Sequence, residues 1–360
     1  MSLSPREAAR MVRDLCSEQG FARCGICRAA ASRHQSDYLA WINAGKHGEM
    51  HYLEVHRLIR QDPRGIVPGA KSIVVVADRY AGVRDHQPGS DASARGRIAR
   101  YARGRDYHKL MKKRLHEVCD AMQEQFPGEV FRACVDTAPL LEREHAGRAG
   151  LGAIGKHTLL IEQGVGSWLL LGAVVTTLVL EPDESHEDVD PCSSCTRCID
   201  ACPTDAITPF SVDATRCISY LTIEHRSMID AQFHEAMGDW LFGCDICQEV
   251  CPHNQPTRRS SRAHVHEGYE GGPASFDLLN VLQWNAGERA DAVRGTAMTR
   301  ARLEMFKRNA LIAAGNALRQ HDDAQLREAI IALAHDESEH ELVRITARQV
   351  LQGLERSPSP

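Results

Sequence analysis

The residues best suited to chemistry in this chain are cysteines. Cys192, Cys195, Cys198 and Cys202 stand in PCSSCTRCIDACPTDAI, residues 191–207, with the spacing C-x2-C-x2-C-x3-C and Pro203 closing the run. That spacing holds [4Fe–4S] clusters, and where two clusters are present the fourth cysteine ligates the other one. A second run, CDICQEVCP at 244–252, places Cys244, Cys247 and Cys251 as C-x2-C-x3-C-P and lacks the first cysteine. If the fourth ligands cross over, Cys192, Cys195, Cys198 and Cys251 make one complete set. Cys202, Cys244 and Cys247 are then short by one thiolate. Cys217, in RCISYL between the two runs, is the remaining cysteine of the region and restores a total of eight. Two structural zinc sites are the alternative that four-cysteine spacing permits. The triple run, with Cys-Pro ending both runs, suits a cubane better.

Composition is compatible with that chemistry. The 360-residue chain has room for two or three domains. Its hydrophobic fraction of 43% and charged fraction of 25% are those of an ordinary globular protein. A formal net charge of −5 argues against indiscriminate coating of nucleic acid, without excluding a local basic site. No apolar run reaches the roughly 18–20 residues needed to cross a bilayer, and no signal-peptide pattern is present. The expectation is a cytoplasmic protein with no membrane partner. Thirteen cysteines are many for a reducing compartment, and eight of them cluster between 192 and 251, which points to metal rather than disulfides. Cys24 and Cys27, in CGIC, have the spacing of a redox C-x-x-C, but their apolar surroundings read as a buried strand with core thiols.

These cysteines need elements to position them. Ser4-Pro5-Arg6-Glu7 is a helix start with a capping box. Ser72 to Ala77 and Phe131 to Val135 read as strands, and residues 107–125 as an amphipathic helix. Thr158 to Ile161 and Trp168 to Leu180 read as a strand pair across EQGVGS. RRSSRAHVHEGYEGGP reads as loop. From Arg302 onward the pattern is helical, with RNALIAAGNALR and VRITARQVLQGL as related helices about 35 residues apart, a HEAT-like hint. The expected fold class is α+β (mixed α/β). Its segments are an N-terminal catalytic domain over 1–184, a two-cluster ferredoxin-type module over 185–256, and a linker with a helical tail over 257–360. GLGAIG, 150–155, matches the dinucleotide fingerprint by letter, but a charged segment precedes it and a strand-like one follows. A glycine loop that lets backbone approach another bulky ligand is the better reading.

The segments VDTAPLLEREHAGRAGLGAIGKH, RYARGRDYHKL and the cysteine module with RCISYLT and FGCD together resemble the epoxyqueuosine reductase family over nearly the whole chain. The resemblance implies a two-electron reduction of epoxyqueuosine to queuosine at the tRNA wobble position. It implies base-off cobalamin in the N-terminal domain beside two [4Fe–4S] clusters. Asp136 matches the family's proton donor; from sequence alone, a carboxyl at a strand end followed by Thr137-Ala138-Pro139 also suits a helix cap. A neutral-pH donor needs a raised pKa, which burial against the cofactor would supply. Arg60, Ala99, Lys156, His157, Leu160 and Leu171, with Asp136, match cofactor-binding positions. The D-x-H-x-x-G corrinoid motif is absent, Met111 standing where its glycine would be, which accords with a base-off cofactor. The partners so implied are the tRNA anticodon stem-loop and an external low-potential donor such as flavodoxin or ferredoxin, for a monomeric enzyme.

Charge offers separate support for tRNA. Arg95, Arg97, Arg100, Arg103, Arg105, Lys109, Lys112, Lys113 and Arg114 face a single acid, Asp106, in the same stretch. Further groups are Arg258, Arg259 and Arg262, then Arg300, Arg302, Lys307 and Arg308. Such groups can follow phosphates. They distinguish a tRNA enzyme from the alternative, a corrinoid and iron–sulfur reductase of a small molecule akin to reductive dehalogenases. A plain electron-transfer protein would leave the N-terminal region unused.

Overall fold

The computed structural model describes residues 3–82, 94–260 and 264–356. Its strands are β1 (Arg23–Arg28), β2 (Ser72–Arg79), β3 (Arg95–Ile98), β4 (Phe131–Val135), β5 (Ala153–Ile154), β6 (Leu160–Ile161), β7 (Leu169–Thr176), β8 (Ile207–Thr208), β9 (Ser211–Val212), β10 (Trp240–Phe242) and β11 (Ser275–Asp277). β1, β2, β7 and β4 pair in that order as an antiparallel sheet. Every residue of β2 is buried because both faces of the sheet are covered. Val74 and Val76 pack with Val12, Met111 and Leu115 of the helices Pro5–Glu18 and Tyr107–Gln125. Ile73 and Val75 pack with Ala146 and Ala149 at the helix Glu142–Arg148. The unbroken apolar run of SIVVVA is the signature of such a doubly covered strand. The mixed α+β expectation holds, as do the capping box at Ser4 and the helix over 107–125. Among the described residues no helix is long and apolar enough to cross a membrane.

Glycines set two of the layer spacings. A Cβ on Gly172 of β7 would lie 2.7 Å from Met111 Sδ, and one on Gly25 of β1 would lie 2.2 Å from the Ala149 carbonyl. Glycine at these points lets the helices sit close on the sheet. On β1, residues three apart point to opposite faces, so Cys24 and Cys27 do not form a dithiol. Cys24 meets the thiol of Cys16, while Cys27 lies in the opposite core and burial pushes its thiol up to about 12.

One sequence expectation is corrected. β6 and β7 are not a pair: β6 turns back onto β5, whereas β7 crosses into the main sheet between β2 and β4. The apolar content of β7 reflects two strand neighbours in a buried sheet, which a hairpin does not require. The glycines of GLGAIG serve the protein's own packing. A Cβ on Gly152 would lie 2.4 Å from the Ile161 carbonyl and one on Gly155 2.6 Å from Ile161 Cδ1.

A second sheet, ordered β10-β3-β11, takes one strand from each of the three sequence segments. It packs into one core with the helices Leu303–Gln320, Ala324–His335 and Glu341–Arg356. A Cβ on Gly315 would lie 2.6 Å from Val350 Cγ1, so the first and third of these helices cross closely. They contain the two related segments read from the sequence.

Candidate functional site

Asp136 directly follows β4, whose Val135 pairs with Gly172 of β7. Its φ of 26° lies in the left-handed region, which costs about 1–3 kcal/mol unless the surroundings hold it. The holding groups come from the helix Tyr107–Gln125, brought close by Gly172. Tyr107 Oη donates to Asp136 Oδ2 at 2.9 Å, and His108 Nε2 lies 2.9 Å from the same oxygen. His108 Nδ1 lies 2.8 Å from Asp106 Oδ1, and Asp106 also caps the helix by accepting from the His108 backbone N–H. Asp106, His108 and Asp136 thus form a continuous acid–imidazole–acid chain.

The electrostatics reverse one expectation. The Asp136 side chain is 56% exposed, yet neighbouring groups crowd its carboxyl. That crowding pushes its carboxyl up, but the hydrogen bond and charge of His108, the Tyr107 hydroxyl and Arg143 outweigh it, and Asp136 sits below the usual carboxylate range. Burial works against the charged imidazole of His108, yet its two carboxylate partners raise it to about 9. At neutral pH the proton of this pair therefore resides on the imidazole. Glu142 behaves as Asp136 was expected to: burial, then the charge of Asp136, pushes it up to about 8. Sequence patterns do not single out Glu142, and they present His108 only as a fragment of a corrinoid motif. The available signal is Asp106 as a cap that places His108 in the first turn.

The eight cysteines of the module lie near one another. Cys192, Cys195, Cys198 and Cys251 line one small cavity with His157 and His253. Cys217 lies within electrostatic reach of Cys202, Cys244 of Cys247 and Cys217, and Cys247 of Cys217, Cys198 and Cys202. A single tetrahedral zinc ion, with Zn–S near 2.3 Å, requires sulfurs about 3.8 Å apart. Among the described residues no three cysteines place their sulfurs within 4.8 Å of one another.

The remaining positions come from several elements. Arg60 is buried with Nε lacking a hydrogen-bond partner, and His157 is buried with Nε2 in the same state. The charge of Arg143 acts on both Asp136 and His157, and that of Arg60 on Glu142. Ala99 and Leu160 are buried, and Leu171 packs against the core beneath the helix Glu142–Arg148. Lys156 turns its ammonium to the carbonyls of Ser193 and Cys195 at 2.7 and 3.0 Å.

Much of the basic charge is structural. Arg114 is buried against Asp78, Arg97 pairs with Asp239 and Arg100 with Asp245. Arg300 pairs with Glu224, Lys307 with Glu339, and Arg308 is buried on backbone carbonyls. Arg105, Lys109, Lys112, Lys113 and Arg258 remain exposed; Arg262 lies outside the described residues.

Comparison with known proteins gives the family. Residues 60–137 match the family model described as epoxyqueuosine reductase QueG, DUF1730, and residues 191–254 match the 4Fe-4S double cluster binding domain. The epoxyqueuosine reductase of Xanthomonas campestris pv. campestris is 38% identical over 340 residues, covering 89% of this chain and 94% of the relative. That of Vibrio cholerae is 36% identical, covering 87% and 84%. A crystal structure of epoxyqueuosine reductase with an epoxyqueuosine-modified tRNA-Tyr stem loop superposes with a TM-score of 0.85 at 27% identity, covering 96% of this chain and 91% of that one. A Bacillus subtilis structure, with its catalytic aspartate loop swung out of the active site, gives 0.83 at 26% identity, with the same 96% and 91% coverage. The chain belongs to the epoxyqueuosine reductase family.

Proposed function

We propose that Asp136 delivers protons during the reduction of epoxyqueuosine in the tRNA anticodon loop, with His108 as its immediate reservoir. Family membership makes the chain an iron–sulfur oxidoreductase of tRNA modification. Converting an epoxide to an alkene and water consumes two electrons and two protons. The hydrogen-bonded pair of Asp136 and His108 holds one proton, and neutral Glu142 beside it holds a second. The observation that carries this reading is the 2.9 Å contact between His108 Nε2 and Asp136 Oδ2.

Cobalamin fits the region, where the partnerless Arg60 Nε and His157 Nε2 offer polar anchors. Arg60, Ala99, Lys156, His157, Leu160 and Leu171, with Asp136, are the residues that would hold it. When bound, it supplies low-potential reduction of the substrate carbon. Cys192, Cys195, Cys198 and Cys251 bind one cluster in this reading, and Cys202, Cys217, Cys244 and Cys247 the other. The segments 1–184, 185–256 and 257–360, the last HEAT-like, belong to the same reading, with the β10-β3-β11 sheet drawing a strand from each. An external low-potential donor, a monomeric state and a cytoplasmic location complete it.

The test is Asp136→Asn in anaerobically reconstituted protein. Stem-loop binding should persist while turnover falls at least about 100-fold, the usual scale of general-acid catalysis. Near-normal turnover would remove Asp136 from the mechanism.

A further inference from the structure

Lys156 reaches the first cysteine set in three ways. Its backbone N–H donates to Cys192 Sγ at 3.3 Å, and its ammonium donates to the carbonyls of Ser193 and Cys195 at 2.7 and 3.0 Å. It is fixed in place because its own carbonyl accepts from Phe210 N–H at 3.0 Å. The second set has different surroundings. Backbone N–H groups reach sulfurs of both sets, those of His253 and Asn254 at Cys251 in the first and those of Ala206 at Cys202, Ser219 and Tyr220 at Cys217 and Ile246 at Cys244 in the second. In the second set the nearby charge is instead the buried carboxyl of Asp245, which accepts from Arg100 N–H, lies 3.9 Å from Arg100 Nε and acts on Cys244 and Cys247. Adding an electron makes a cluster more negative, so the nearby ammonium of Lys156 favours the reduced form of the first, and the nearby carboxylate of Asp245 opposes that of the second.

We propose that Lys156 raises the reduction potential of the cluster held by Cys192, Cys195, Cys198 and Cys251 above that of the second cluster. The inference rests on the two-cluster reading. It makes the clusters unequal: the first is the one that retains an electron, and the second is the stronger reductant.

The experiment is an EPR-monitored potentiometric titration of the full chain, reconstituted without oxygen, as wild type, Lys156→Met, Lys156→Gln and Lys156→Arg, with iron measured in each. The wild type should show two separable one-electron waves. The two neutral variants should move the higher wave to more negative potential and leave the lower one in place, while Lys156→Arg stays close to wild type. An unmoved higher wave with full iron content would overturn the inference alone. Loss of the first cluster's iron in both neutral variants would also overturn it, by making Lys156 a structural tether. Iron absent from the wild type would instead overturn the two-cluster reading.

Discussion

Side chain by side chain, the site is a proton store whose charge state follows from hydrogen bonding. His108 is raised to about 9 by Asp106 and Asp136, and Glu142 to about 8 by burial. Both must be protonated to donate, so kcat/KM should fall as pH rises from about 8 to about 9. Asp106→Asn removes one partner of His108 and should move that limb to lower pH; an unchanged profile would show that His108 does not supply the proton. Stability has a related sign. Because the folded pKa of His108 is raised, its contribution is fully present below the unfolded value of about 6.5 and is lost as pH rises through about 9. Asp136 is legible in the sequence as a strand-end carboxyl, but its lowered pKa is not, since that depends on a histidine 28 residues away.

Glycine spacing and a buried arginine hold the helices and strands where the chemistry needs them. Gly172→Ala would drive a methyl toward Met111 Sδ and Leu115 Cδ1, displacing the helix that carries Tyr107 and His108. Overpacking of this kind costs about 1–3 kcal/mol, and turnover should fall more than thermal stability predicts; a variant with normal activity would separate the helix position from function. Arg308 donates to the carbonyls of Leu221, His225 and Ser227, behind the helix that starts after Cys217. Arg308→Met should destabilise the fold by roughly 3 kcal/mol or more, since hydrogen bonds to charged groups contribute about 1.5–3 kcal/mol each; chemical denaturation measures this. Strands, capping and helices are visible in the sequence through local signals. The insertion of β7 between β2 and β4 is not, because strand order is set by long-range packing rather than by the alternation within a strand.

As one body, the protein carries net negative charge and must still meet a polyanion. Paired arginines such as Arg97, Arg100 and Arg300 have structural roles, which leaves Arg105, Lys109, Lys112 and Arg258 as exposed cations, with Lys113 exposed beside Glu117 at 3.8 Å. Stem-loop affinity should fall with rising salt by counterion release, and charge reversal at Lys112 and Lys113 should flatten the slope. Equal slopes would place the phosphate contacts elsewhere. Runs of basic residues are legible in the sequence; which of them are consumed by ion pairs is decided by partners as distant as Asp239 and Asp245.

Iron analysis with Mössbauer spectroscopy on oxygen-free protein, wild type and Cys217→Ala, decides whether eight thiolates hold two clusters. The expected result is about eight irons per chain in two cubanes, falling to about four in the variant. Zinc in place of iron, or all eight irons retained without Cys217, would contradict it.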